Sequence, residues 1–67
     1  MKLSAQQREI ITYMADGLST KEIAIKLKHT VATIETYKHK IYKRLKARNA
    51  PHLVSMAYQE GVLKPNL

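Results

Sequence analysis

The chain has no cysteine among its 67 residues, which excludes disulfide staples and thiolate metal sites and fits a reducing compartment. No stretch approaches the roughly eighteen consecutive apolar residues needed to span a bilayer, and the N-terminus carries no apolar run of the signal-peptide kind. Cytoplasm is the expected location, with no membrane partner. No segment alternates apolar with polar residues, so strands are not expected. Tryptophan and phenylalanine are absent, and Tyr13, Tyr37, Tyr42 and Tyr58 fall mostly on the core sides of their predicted helices. The stacking platform that single-stranded RNA recognition uses is therefore missing. His29, His39 and His52 have no metal-ligand spacing, so no metal and no cofactor are expected.

Positive charge is what the chain does have. Twelve Lys and Arg stand against five Asp and Glu, for a formal charge of +7. Nine of the basic and two of the acidic side chains lie between Lys21 and Arg48, so that segment holds the whole net charge and the flanks cancel. A localised patch of this kind favours a polyanion, nucleic acid first and an anionic membrane surface second.

Helix signals divide the chain into four. Ser4 and Gln7 form a capping box that opens a helix over about 5–16, with Ile10, Ile11, Met14 and Ala15 as its apolar stripe and Gly17 as its stop. Ser19 and Glu22 form a second box, with Leu18 placed to staple onto Ile23, and start a short helix over about 20–28. Ile23, Ala24 and Leu27 are its buried side. Thr30 is the next N-cap and begins a longer helix over about 31–46, whose register positions are Ile34, Ile41 and Leu45. Pro51 suits the first turn of a fourth helix over about 51–60, lined by Leu53, Val54, Ala57 and Tyr58 and ended by Gly61. Val62 and Leu63 fold back on the core, and residues 64–67 read as a tail. The fold class is all-α: one four-helix, bundle-like domain over residues 1–67 that contains a helix-turn-helix.

The face of the third helix opposite its apolar stripe carries Glu35, Thr36, His39, Lys40 and Lys43, the candidates for facing DNA bases. Lys38 and the Tyr37 hydroxyl are placed for phosphates. Lys21 opposes the dipole at the start of the second helix, which a docked phosphate would reverse.

These residues resemble the LuxR-type (GerE-like) helix-turn-helix domain over nearly the whole chain. The strongest piece is the order Glu9, Gly17-Leu18, Glu22-Ile23-Ala24, Thr33-Ile34, four separate segments agreeing in type and spacing. The resemblance implies a transcription-factor domain whose third helix reads the major groove and whose fourth mediates dimerisation. It also implies phosphate contacts from Thr20, Lys21, Thr30 and Thr33, and a scaffold role for Glu9 through polar contacts. The chain departs from the family pattern at several places: Lys28 and His29 replace a glycine and an apolar residue in the turn. Glu35 stands where a basic residue is common. Tyr37-Lys38 is a variant found in part of the family, and Arg48 substitutes for an arginine missing at Ala50.

The function expected is sequence-specific binding of double-stranded DNA as a transcriptional regulator, by a homodimer paired through the fourth helix, with His52, Met56 and Gln59 as outward contact candidates. A chain of this kind is nucleoid-associated in a bacterium. The second reading is a protein–protein interaction module that modulates another regulator of the same family. Four short helices leave no cleft for a small-molecule substrate, and no catalytic constellation is present, so no enzyme activity is expected.

Overall fold

In the computed structural model, which describes residues 3–63, four helices follow one another: α1 Ala5–Ala15, α2 Thr20–Leu27, α3 Val31–Leu45 and α4 Ala50–Gln59. No strand occurs among the described residues. Each helix starts on a side-chain oxygen that accepts an amide three residues on: Ser4 from Gln7, Ser19 from Glu22, Thr30 from Thr33 and Asn49 from His52. Such a cap satisfies one of the four amides a helix start leaves without a partner. At Ser4 and Ser19 the box is reciprocal, the Gln7 and Glu22 side chains accepting the cap amides at 2.9 and 2.8 Å.

The helix ends repeat one device. At each, a residue with positive φ turns the chain and the following amide donates to the carbonyl five residues back. The four bonds are Leu18 to Tyr13 at 3.0 Å, His29 to Ala24 at 2.9 Å, Ala47 to Tyr42 at 2.9 Å and Val62 to Ala57 at 2.8 Å. The turning residues are Gly17 at φ 88°, Lys28 at 58°, Lys46 at 55° and Gly61 at 77°. This geometry is the Schellman motif, which returns two amides to carbonyls the helix would otherwise leave open.

The core is Leu3, Ile10, Ile11, Ile23, Ala24, Ile34, Ile41, Leu45, Leu53, Ala57 and Leu63, and no polar or charged side chain among the described residues is buried. Ile34, Ile41 and Leu45 form one stripe of α3, which packs against α1, α2 and α4, while α1 also packs on α4.

The structure moves several sequence expectations. The first three helices end one residue early, because Asp16, Lys28 and Lys46 are caps. The fourth spans Ala50–Gln59 because the Asn49 amide oxygen supplies the N-cap, which puts Pro51 second in the helix. Ala15 is exposed and leaves the α1 stripe to Ile10 and Ile11, with Met14 half-buried at its edge. Tyr58 is 42 % exposed and not on the inner side of α4. Glu9 is exposed and makes no polar side-chain contact among the described residues, so the scaffold role the resemblance implied has no partner here. The 64–67 tail reading lies outside the described residues.

Two expectations test this architecture. Ile34→Val removes one methylene from a fully buried site and should cost about 0.5–1.5 kcal/mol in a denaturant melt, a large loss for so small a core. The Glu22 carboxylate is held below its ordinary pKa by the hydrogen bond from the Ser19 amide and then by that from its hydroxyl. A depressed carboxyl contributes stability above its unfolded-state pKa and loses it as pH falls through the folded value. The stability gap between the native chain and Glu22→Ala should therefore be present at neutral pH and close on acidification, read by thermal melts across pH.

Candidate nucleic-acid interface

Because Ile34, Ile41 and Leu45 occupy one side of α3, the residues between them at helical spacing must point outward. Glu35, Thr36, His39, Lys40 and Lys43 are all exposed. Thr36, His39 and Lys43 succeed one another at spacings of three and four, so they form a single ridge. The Thr36 hydroxyl donates to the Ala32 carbonyl at 3.1 Å, which turns its remaining lone pairs and its methyl group outward. Glu35 is the one carboxylate on this face of α3.

Around the ridge the other predicted residues are placed unequally. Lys21, Thr30 and Arg48 are exposed, while Thr20, Thr33, Tyr37 and Lys38 are half-buried. At the start of α3 the Thr30 and Thr33 hydroxyls lie 2.9 Å apart, and the Thr30 oxygen also accepts the Thr33 amide at 3.2 Å. Lys38 does not extend freely: its Nζ donates to Thr20 Oγ1 at 3.0 Å. That bond joins the middle of α3 to the first residue of α2 and brings two predicted phosphate residues into one group.

The turn between α2 and α3 is closed from a third side. His29, in place of an apolar plug, packs its ring edge-on against Tyr37 with centroids 5.6 Å apart and an interplanar angle of 83°. Its Nε2 lies 3.2 Å from Gln6 Nε2 of α1, so the amide donates to an unprotonated ring nitrogen. The clasp ties α1, the turn and α3 together across the side of α3 next to Lys40. Beside it, Ser4, Gln6, Gln7, Ile10, Tyr37 and Lys40 line a shallow cleft of about 160 Å³, below the usual range for a small-molecule site. Neither the Gln6 partnership nor the ring contact was readable from the sequence, since Gln6 and His29 are 23 residues apart.

Of the three α4 residues predicted to face a partner, only Gln59 is exposed. His52 is half-buried and its Nδ1 accepts the Arg48 amide at 3.0 Å, so the ring caps the loop before α4. Met56 is half-buried against the core, not on the outer side of the helix. Both are occupied by their own fold. Among the described residues no three His, Cys, Asp or Glu side chains are grouped to hold a metal, and no helix is long and apolar enough to cross a membrane.

The family described as "Bacterial regulatory proteins, luxR family" matches residues 1–57. The chain is 34% identical over 59 residues to the transcriptional regulatory protein FixJ of Rhizobium meliloti, covering 88% of the chain and 29% of FixJ. It is 38% identical over 61 residues to the oxygen regulatory protein NreC of Staphylococcus carnosus, covering 91% of the chain and 28% of NreC. The crystal structure of the response regulator ChrA of a heme-sensing two-component system superposes with a TM-score of 0.88 at 32% identity, over 94% of this chain and 31% of that one. The chain thus spans less than a third of the length of these relatives.

The bond between α2 and α3 is testable in a double-mutant cycle. Thr20→Val and Lys38→Met, made singly and together and followed by denaturant melts, should be non-additive by about 0.5–1 kcal/mol, the size of one net hydrogen bond.

Proposed function

This chain belongs to the luxR family of bacterial regulatory proteins, and we propose that it binds double-stranded DNA with sequence preference by laying α3 in the major groove. The observation that carries the reading is that Glu35, Thr36, His39, Lys40 and Lys43 are exposed together on the side of α3 away from the core, inside the segment that holds the whole net charge. A helix with its side chains is about 10–12 Å across and the major groove about 12 Å wide, so the outward face can reach base edges.

Chemistry assigns the roles. Lys40 and Lys43 donate to the guanine O6 and N7 edge, Glu35 accepts from a cytosine amino group, and the Thr36 methyl group meets a thymine methyl. His39 donates or accepts according to its tautomer. Thr20, Lys21, Thr30, Thr33, Tyr37, Lys38 and Arg48 engage phosphates and set register. Lys38 keeps two of its three N–H groups for this after serving Thr20. A second copy pairs through the exposed side of α4, where Tyr58 and Gln59 stand, and places two α3 helices about 34 Å apart on an imperfect palindrome. The place of action is the cytoplasm, on the bacterial chromosome, in control of transcription.

Fluorescence anisotropy of labelled duplexes, selected and random, at several salt concentrations tests the proposal. Lys38→Ala, at a residue assigned to phosphates, should weaken binding to every duplex and reduce the slope of log K against log salt by about 0.9. Thr36→Ala and His39→Ala should instead change which sequence is preferred, at about 1–3 kcal/mol per lost contact. A native chain indifferent to duplex at modest salt would overturn the reading in favour of a module that binds another regulator.

A further inference from the structure

The four helices end in the same hydrogen-bonded turn, yet two residue types occupy its left-handed position. α1 and α4 use Gly17 and Gly61; α2 and α3, the two helices of the helix-turn-helix, use Lys28 and Lys46. In this backbone region an L side chain crowds the following carbonyl oxygen, and glycine does not. Space does not explain the difference, because a Cβ built on Gly17 or Gly61 meets no heavy atom within 4 Å. Local hydrogen bonding does not explain it either: asparagine is the non-glycine residue that tolerates this region through its side-chain amide, and lysine has no such device. Lysine at these two positions bears a conformational cost that glycine avoids at the other two.

Both lysines are exposed, and both flank α3. Lys28 stands two residues before the α3 N-cap Thr30, and Lys46 directly follows Leu45, the last residue of α3, as its C-cap. We propose that Lys28 and Lys46 are DNA-backbone contacts that bracket the recognition helix, their charge retained there at the expense of fold stability. The proposal rests on the DNA-binding reading above and adds two phosphate ligands that the family resemblance, with a glycine at the turn, does not supply. The ligand is the duplex phosphate backbone, read without base preference.

The experiment pairs thermal melting with duplex titrations over a salt series, using the full chain. Lys28→Gly and Lys46→Gly should each raise the melting temperature by roughly 4 °C, since relief of strain in so small a domain moves the midpoint by that order. Each should also reduce the salt slope by about 0.9 on random and selected duplexes alike. Lys28→Arg and Lys46→Arg should keep the native slope, while Lys28→Gln and Lys46→Gln should lose it at unchanged melting temperature. Gly17→Lys, outside the basic segment, should lower the melting temperature and leave the salt slope within half a unit of native. Glycine variants that bind with the native slope, or that melt no higher than the native chain, would overturn the proposal while leaving DNA binding intact. A native chain that binds no duplex would overturn both.

Discussion

Burial of one side of α3 is the constraint on which the rest of the molecule depends. Ile34 and Ile41 are fully buried and Leu45 almost so, and through them α3 packs against α1, α2 and α4. A single helix that serves as the common wall of the core cannot roll about its axis without opening that core, where each buried aliphatic side chain is worth about 1.5–3 kcal/mol. Its other side is therefore presented to solvent at a fixed angle. The exposed ridge of Thr36, His39 and Lys43 is a consequence of the apolar stripe, and so the chemistry of the surface is positioned by the physics of the interior.

Such a small core leaves much to local bonds. Each helix is opened by Ser, Thr or Asn and closed by a left-handed residue, so polar groups that short helices leave at their ends are partnered within a few residues of chain. Further side-chain contacts add orientation. The Lys38–Thr20 bond sets α2 against α3, the His29 contacts with Gln6 and Tyr37 hold the turn against α1, and the His52 ring fixes the loop before α4. None involves a buried charge, which keeps the interior free of desolvation cost.

The elements were legible because their signals are local. The capping boxes at Ser4 and Ser19, the Thr30 cap, Pro51, the i, i+7, i+11 stripe of α3 and the stops at Gly17 and Gly61 place the four helices to within a residue at either end. The outward placement of Glu35, Thr36, His39, Lys40 and Lys43 follows from the same periodicity. What stayed hidden depends on contacts between distant residues or on backbone conformation. Glu9 was given polar partners by resemblance, and the fold leaves it in water. Met56 and Tyr58 exchanged sides because α4 presents Leu53 and Ala57 inward, and helical spacing around an apolar helix does not by itself choose the axis of its stripe. His52 reads in the sequence as a surface residue because an imidazole accepting a backbone amide four residues earlier has no strong sequence signature. Lys28 and Lys46 read in the sequence only as charges, because nothing in a lysine signals the left-handed φ they adopt.

Amide chemical shifts of the isotope-labelled chain, followed while an unlabelled duplex is titrated in, address the central claim directly. If α3 is the groove-facing helix, the largest changes fall on Glu35, Thr36, His39, Lys40 and Lys43, on the turn from Lys28 to Thr30 and on the first turn of α3, with the buried stripe and the α1 amides nearly still. Changes concentrated on α4, or spread evenly over the surface, would contradict it.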